Sequence, residues 1–259
     1  MPRIDADGAK LNVEVEGPDG APALVFSNSL GTDLHMWEDQ AAALSKRYRV
    51  IRYDQRGHGK SNAPDGPYSM ERLGRDVLAI LDALEIPRAH FCGLSMGGMT
   101  GMWLGRAAPE RIDRLVLANT AARSGTAESW NARIQAVNAK GVEGIADMAL
   151  GIWFTKEFRE REPTLMARMR EMMVVTDAGG YVRCCAALRD MDQRWPIRDI
   201  TLPTLIVAGT KDQATPVSAA ELIQSRIAGA KLVTLDAAHI SNIEQSAAFT
   251  KTLEDFLKG

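Results

Sequence analysis

The chain has 259 residues, of which 46% are hydrophobic and 25% are charged, as in an average soluble globular protein. This composition excludes a disordered, collagen-like or coiled-coil protein, and the length suits one large domain or one domain with a sizeable insertion. The formal charge of −2 leaves no basic excess to neutralise phosphates, so we expect no nucleic-acid partner.

The sequence also argues against membrane, disulfide and metal roles. It contains no run of about 20 apolar residues and no apolar signal segment at its start, so we expect a cytoplasmic protein with no membrane partner. No histidine pair has zinc-ligand spacing and no CxxC motif occurs, so we expect no metal and no cofactor. The cysteines are a poor basis for a disulfide framework, because they are odd in number and two are adjacent: Cys92, Cys184 and Cys185.

Strand and helix patterns alternate through the first half of the chain. Residues 10–16 alternate apolar and polar side chains, which predicts an edge strand. Short apolar runs predict four further strands, at residues 23–28, 49–54, 89–94 and 114–118. Residues 69–84 predict an amphipathic helix capped by Ser69, and another helix is expected to end near Ala107. Such alternation is typical of an α/β fold with a mostly parallel sheet and helices on both faces.

The alternation stops in the middle of the chain. Residues 121–198 are rich in helix formers and contain no convincing strand. Helix and strand patterns then resume: a strand at 204–209, a helix up to Ile227, a strand at 231–235 and a helix at 246–257. We therefore expect an α/β core made of residues 1–121 and 199–259, interrupted by a helical insertion at residues 122–198.

A nucleophile motif lies where the 89–94 strand ends and a helix begins. Gly93-Leu94-Ser95-Met96-Gly97 matches the pattern G-x-S-x-G, which alone is a weak signal. At a strand-to-helix junction the pattern is specific, because a strained turn there lifts the serine hydroxyl out of the sheet. We predict Ser95 as a nucleophile.

A serine nucleophile needs a base, and in this arrangement an acid and a histidine follow it in the chain. His239 is the only histidine after Ser95, so elimination assigns the base. Asp212 follows the 204–209 strand, and we predict it as the acid. Asp236 is the alternative, although its position three residues before His239 suggests a strand end. The remaining histidines are expected to have no chemical role: His35, His58 and His90.

The same chemistry needs backbone N–H groups that bind the negative oxygen of the transition state. The residue after the nucleophile, Met96, is one expected donor. The other comes from the loop Asn28-Ser29-Leu30-Gly31. We expect Leu30 to be that donor, because the following Gly31 lets the loop turn the amide inward.

Together these motifs resemble the α/β-hydrolase superfamily over nearly the whole chain. The likeness is carried by the 28–31 loop, the 54–61 loop (DQRGHGKS), the 93–97 elbow, Asp212 and His239. It implies that the 122–198 insertion is a helical cap and that Asp54 and Arg56 support the loop structure rather than catalysis. Most members have His-Gly where this chain has Asn28-Ser29, a change that keeps the backbone role of the loop but alters its side-chain contacts.

Within the superfamily the chain is most similar to the 3-oxoadipate enol-lactonase family. The more particular stretches are residues 28–33 with Trp37, and Trp130-Asn131-Ala132-Arg133. The resemblance implies a hydrolase that opens 3-oxoadipate enol-lactone to 3-oxoadipate through a Ser–His–Asp acyl-enzyme mechanism, in aromatic-acid catabolism.

Such a substrate is a small lactone with a carboxylate arm, and it needs a cation inside an apolar pocket. Trp130 and Arg133 are three residues apart and share one face of an expected cap helix. We expect Arg133 to bind the carboxylate, with Arg189 and Arg194 as alternatives. Trp130 and Trp153 are the expected pocket walls.

Two other functions stay open at this point. A cap-bearing serine hydrolase could instead act on a neutral ester or on the C–C bond of a ring-fission product. A non-catalytic ligand receptor on the same scaffold is the alternative from another class, and the complete set of nucleophile, base and acid argues against it. The sequence makes no prediction of oligomeric state.

Overall fold

The computed structural model describes residues 3–258, which form one eight-stranded sheet flanked by helices. The strands are β1 (Arg3–Ala6), β2 (Ala9–Glu16), β3 (Ala23–Ser27), β4 (Arg49–Tyr53), β5 (Ala89–Leu94), β6 (Ile112–Ala118), β7 (Thr204–Gly209) and β8 (Lys231–Leu235). Their order across the sheet is β1-β2-β4-β3-β5-β6-β7-β8. The β1–β2 and β2–β4 pairs are antiparallel, and every later pair is parallel. The predicted α/β architecture with a mostly parallel sheet is confirmed.

The α-helices of the described chain are α1 (Glu38–Leu44), α2 (Met70–Ala83), α3 (Met96–Ala107), α4 (Ala127–Lys140), α5 (Glu143–Trp153), α6 (Lys156–Arg161), α7 (Pro163–Val174), α8 (Ala178–Asp190), α9 (Val217–Arg226), α10 (Ser241–Glu244) and α11 (Ser246–Lys258). Short 3₁₀ helices occur at Leu34–Trp37, Pro109–Arg111 and Pro196–Asp199. Among residues 3–258, no helix combines the length and the apolar character that a bilayer crossing requires.

The central strands form because their side chains are apolar on both faces. All residues of β3 and β7 are buried, as expected for parallel strands covered by helices on either side. Helix α2 begins where the sequence predicts, with the Ser69 hydroxyl accepting a hydrogen bond from the backbone N–H of Arg72.

The prediction of an edge strand at residues 10–16 is wrong. β2 lies inside the sheet, and the edge is the four-residue β1, which pairs with it antiparallel. Asp7 and Gly8 join the two strands with φ values of 51° and 81°, the conformation that Asp-Gly hairpin turns adopt. The sequence of β1 has no apolar run to indicate a strand, since charged residues alternate with Ile4 and Ala6, the two side chains of β1 that are buried.

Helices α4 to α8 all fall between β6 and β7, in the segment expected to be an insertion. We propose that residues 122–198 form a cap over the carboxyl edge of the sheet. Two hydrogen bonds join this segment to the core: Gln193 Nε2 donates to Met99 O of α3 at 2.9 Å, and the backbone N–H of Ile240 donates to Trp153 O at 3.0 Å.

Candidate active site

Ser95 lies on a strained turn between β5 and α3. Its φ of 57° and ψ of −116° are unusual for a residue with a side chain. The turn needs glycine on both sides, because a Cβ on Gly93 would lie 2.1 Å from Gly97 O and one on Gly97 would lie 2.2 Å from Ser27 O. The sequence motif therefore has a steric basis in this chain.

Asp212 and His239 meet at the carboxyl edge of the sheet, in the loops after β7 and β8. His239 Nδ1 lies 2.8 Å from Asp212 Oδ2, and both side chains are almost wholly buried. A carboxylate only accepts, so Nδ1 carries the proton and Nε2 is left with a lone pair. This is the tautomer in which a histidine can take a proton from a serine.

The Asp212 carboxylate accepts several further hydrogen bonds that hold it ionised. Oδ1 accepts from the backbone N–H groups of Ala214 (2.8 Å) and Thr215 (3.0 Å). Oδ2 accepts from the Thr215 hydroxyl (2.7 Å) and from Asn119 Nδ2 (3.0 Å). Burial opposes ionisation, but the charge of His239 and these donors outweigh it and lower the pKa of the Asp212 carboxyl to about 2.

Asn119 is a site residue that no sequence motif indicates. It follows β6 with a φ of 43°, a left-handed conformation that Asn tolerates better than most residues. Its amide donates to Asp212 Oδ2 and to Ala238 O (3.1 Å), and its Oδ1 accepts from the Ser241 hydroxyl. Asn119 thus connects the acid loop with the loop that carries His239.

The alternative acid, Asp236, lies outside this cluster. Its carboxylate is exposed and pairs with Lys211 Nζ at 2.9 Å. The ion pair with Lys211 lowers the pKa of the Asp236 carboxyl, as expected for a surface pair.

One pocket brings together six of the eight predicted site residues; Asp212 and Met96 do not line it. It is lined by Leu30, Ser95, Trp130, Arg133, Trp153 and His239, with Tyr181 and others. Its volume is about 520 Å³ including its mouth. Within the described residues, no hydrogen bond joins the Ser95 hydroxyl to His239, a separation common in active sites without substrate.

The two predicted oxyanion donors have free N–H groups. Among residues 3–258, the backbone N–H groups of Leu30 and Met96 donate to no protein acceptor. Met96 is also the first residue of α3, so its N–H lies at the positive end of a helix dipole.

His58 supports the loop that carries Leu30, a role that the sequence does not predict. The backbone N–H of Gly31 donates to His58 Nε2 at 3.0 Å, and His58 Nδ1 lies 3.2 Å from Arg56 O. Gly31 has a φ of 81°, which makes the turn that the sequence predicts at this position. Burial lowers the pKa of His58, which keeps the imidazole neutral and able to accept at Nε2.

Asp54 and Arg56 support the same region, as the superfamily resemblance implies. Asp54 accepts from the backbone N–H groups of Leu34 (2.8 Å) and Lys60 (2.9 Å). Arg56 forms a buried ion pair with Asp76.

Arg133 is a cation without an acidic partner at the pocket. No ion pair or hydrogen bond to a carboxylate engages it within the described residues, and its guanidinium carbon lies 5.6 Å from the centre of the Trp130 ring. The alternatives are already paired, Arg189 with Asp190 at 2.7 Å and Arg194 with Asp192 at 2.6 Å.

Aromatic side chains close the pocket around Arg133. Trp153 is buried, and Trp130 donates from Nε1 to Ser124 O at 2.7 Å. Tyr181, which the sequence does not indicate, is almost wholly buried. Burial raises the pKa of the Tyr181 hydroxyl, and the nearby positive charge of Arg133 acts in the opposite direction.

Comparisons with known proteins agree with this fold. Residues 22–143 match a family model described as the alpha/beta hydrolase fold, and residues 174–259 match one described as TAP-like protein. The chain is 44% identical to 3-oxoadipate enol-lactonase 2 of Acinetobacter baylyi over 98% of this chain and 96% of that protein. It is 43% identical to 3-oxoadipate enol-lactonase 1 of the same organism over 97% of this chain and 94% of that protein.

The solved structures include a close match. The crystal structure of the enol-lactonase from Burkholderia xenovorans LB400 superposes with a TM-score of 0.97 at 48% identity, covering 98% of each chain. The chain belongs to the α/β-hydrolase superfamily and, within it, to the family of the 3-oxoadipate enol-lactonases.

Proposed function

We propose that this protein hydrolyses 3-oxoadipate enol-lactone to 3-oxoadipate. The proposal rests on the position of Arg133 in the same pocket as Ser95 and His239. Arg133 has no acidic partner among the described residues. A lactone with a carboxylate arm can direct its ring carbonyl to Ser95 and its arm to Arg133. The full-length similarity to two enol-lactonases supports the same substrate.

The reaction begins with acylation of the enzyme. Ser95 Oγ forms a bond to the lactone carbonyl carbon while its proton moves to Nε2 of His239. Asp212 stabilises the imidazolium through the 2.8 Å contact with Nδ1. The N–H groups of Leu30 and Met96 donate to the oxyanion as it develops.

Ring opening follows when the C–O bond of the lactone breaks. The leaving oxygen is an enolate, which is a better leaving group than an alkoxide, and it takes the proton from His239. The enol stays tethered to the acyl chain and then becomes a ketone, which makes reclosure of the ring unfavourable. Water, activated by His239, attacks the acyl-enzyme and releases 3-oxoadipate together with the free Ser95 hydroxyl.

The chemistry of the pocket favours this substrate over a neutral ester. An arginine beside buried aromatic side chains is costly unless an anion neutralises it. Buried Trp153 and Tyr181 and partly buried Trp130 line the pocket together with Arg133, which is itself partly buried. A carboxylate on the substrate supplies the missing negative charge and accepts the guanidinium hydrogen bonds in pairs.

The test follows loss of enol-lactone absorbance with the wild-type protein and with Ser95→Ala. We expect rapid turnover by the wild type and none above background with the variant. If the wild type left the enol-lactone intact but cleaved p-nitrophenyl acetate, the lactonase proposal would be wrong, and a serine hydrolase for neutral esters or C–C bonds would replace it. Absence of turnover with every activated ester would instead favour a non-catalytic receptor.

A further inference from the structure

A second cavity adjoins the active-site pocket. It lies between α4 and α5 and encloses about 1240 Å³ including its open side. We call this cavity the outer groove. Residues that it shares with the active-site pocket are Ser124, Trp130, Arg133, Ile152 and Ala214. The two spaces therefore adjoin along these five residues.

The outer groove is apolar. Its remaining walls include Ala132 and Ala136 of α4 and Ile145 and Met148 of α5. Arg133 is the one charged residue among its described lining residues. Arg133 also lines the active-site pocket, so its charge belongs to the boundary between the two spaces.

Part of this apolar surface is open to solvent. Met148 is 51% exposed and is one of three large hydrophobic side chains that the described chain leaves exposed. Exposed apolar surface beside a catalytic pocket is characteristic of a ligand-binding groove, because an apolar ligand removes it from water. An enol-lactone whose carboxylate meets Arg133 reaches the groove only at residues shared with the active-site pocket, and it leaves Ala136, Ile145 and Met148 without a ligand.

We propose that the outer groove binds an aliphatic acyl chain, so that the enzyme has a second activity on esters of medium-chain fatty acids. The inference rests on the catalytic residues of the proposed function but not on its substrate. Ser95 Oγ bonds to the ester carbonyl carbon, the ester C–O bond breaks, and the alcohol leaves with the proton held by His239. Water then releases the fatty acid, whose chain lies in the outer groove throughout.

The test compares p-nitrophenyl acetate, butanoate and octanoate. We expect kcat/KM of the wild type to rise with chain length, because each added methylene leaves water for the groove. A constant or falling kcat/KM along this series would overturn the inference.

Two glutamate variants test whether the chain-length effect arises in the outer groove. Met148→Glu introduces a carboxylate into the outer groove and should lower the ratio of octanoate to acetate kcat/KM by about tenfold or more, because an aliphatic chain would then desolvate a charge. The matched control is Val175→Glu, since Val175 is 61% exposed but does not line the groove. We expect this control to keep the wild-type ratio, and equal losses in both variants would contradict the groove.

An enol-lactone assay on the same preparations separates this inference from the proposed function. Hydrolysis of the enol-lactone without a chain-length effect would contradict acyl-chain binding in the groove but support the proposed lactonase activity. A chain-length effect without hydrolysis of the enol-lactone would support acyl-chain binding in the groove but contradict the lactonase activity. An uncharged variant, Ala136→Trp, fills the groove and should lower the octanoate-to-acetate ratio as Met148→Glu does.

Discussion

The backbone N–H of Gly31 donates a 3.0 Å hydrogen bond to Nε2 of His58, although the two residues are 27 positions apart in the chain. His58 Nδ1 faces a carbonyl oxygen, Arg56 O, which can only accept. The proton therefore resides on Nδ1, and Nε2 is available for Gly31. This contact fixes the residue that follows Leu30, one of the two proposed oxyanion donors.

Replacement of His58 by alanine should lower kcat with little change in KM. The variant leaves the buried N–H of Gly31 without an acceptor, a loss that costs about 1–3 kcal/mol and frees the loop. An oxyanion donor acts mainly in the transition state, so misplacement of Leu30 reduces kcat. The measurement is steady-state kinetics with the enol-lactone.

The conservative variant His58→Gln is the matched test, because its amide oxygen can accept from Gly31. We expect it to recover a large part of kcat. If the alanine and glutamine variants were equally slow, a role through the Gly31 hydrogen bond would be ruled out.

His58 should also make the fold less stable in mild acid. Burial lowers its pKa below the ordinary 6.5, an effect that outweighs the Arg56 carbonyl and the charges of Asp54 and Asp177. Below pH 6.5, His58 therefore binds a proton in the unfolded chain more readily than in the folded chain. The free energy of unfolding consequently falls as pH decreases. Thermal unfolding of the wild type and His58→Gln across this range checks the prediction: Tm of the wild type should fall more steeply, and parallel curves would contradict it.

Removal of the Arg133 charge should impair hydrolysis of the enol-lactone selectively. A charge-assisted hydrogen bond to the substrate carboxylate contributes about 1.5–3 kcal/mol, so Arg133→Ala should lower kcat/KM by about 10- to 100-fold. Hydrolysis of p-nitrophenyl acetate, which has no carboxylate, should be much less affected. Arg189→Ala is the control, because Arg189 is already paired with Asp190. Equal losses on both substrates would show that Arg133 does not recognise the carboxylate.

Much of the fold could be predicted because the parallel strands are continuous apolar runs. The predicted bounds of β5, β7 and β8 agree with the structure. β1 and α1 were not predicted, since β1 has only four residues and α1 only seven, too short for a clear periodicity.

Some site residues could likewise be predicted from local sequence motifs, whereas others depend on contacts between distant parts of the chain. Ser95 is part of a local motif, and chain order indicates Asp212 and His239. The roles of His58, Asn119 and Tyr181 depend on neighbours far away in the sequence. Asn119, for example, contacts Asp212 across 93 positions, and no spacing rule contains such a contact.

Asn119→Ala should slow catalysis because the Asp212 carboxylate would be held less firmly in its position beside His239. The variant removes the 3.0 Å donor to Asp212 Oδ2 and the 3.1 Å donor to Ala238 O, which together hold the Asp212 and His239 loops in register. A hydrogen bond to a charged group contributes about 1.5–3 kcal/mol, and alanine also tolerates the positive φ of this position less well than Asn. We therefore expect a lower Tm and a kcat reduced by about tenfold or more. Asn138→Ala, at an exposed position of α4, is the control. A variant that lost thermal stability but kept the wild-type kcat would show that Asn119 supports the fold alone and does not orient Asp212 for catalysis.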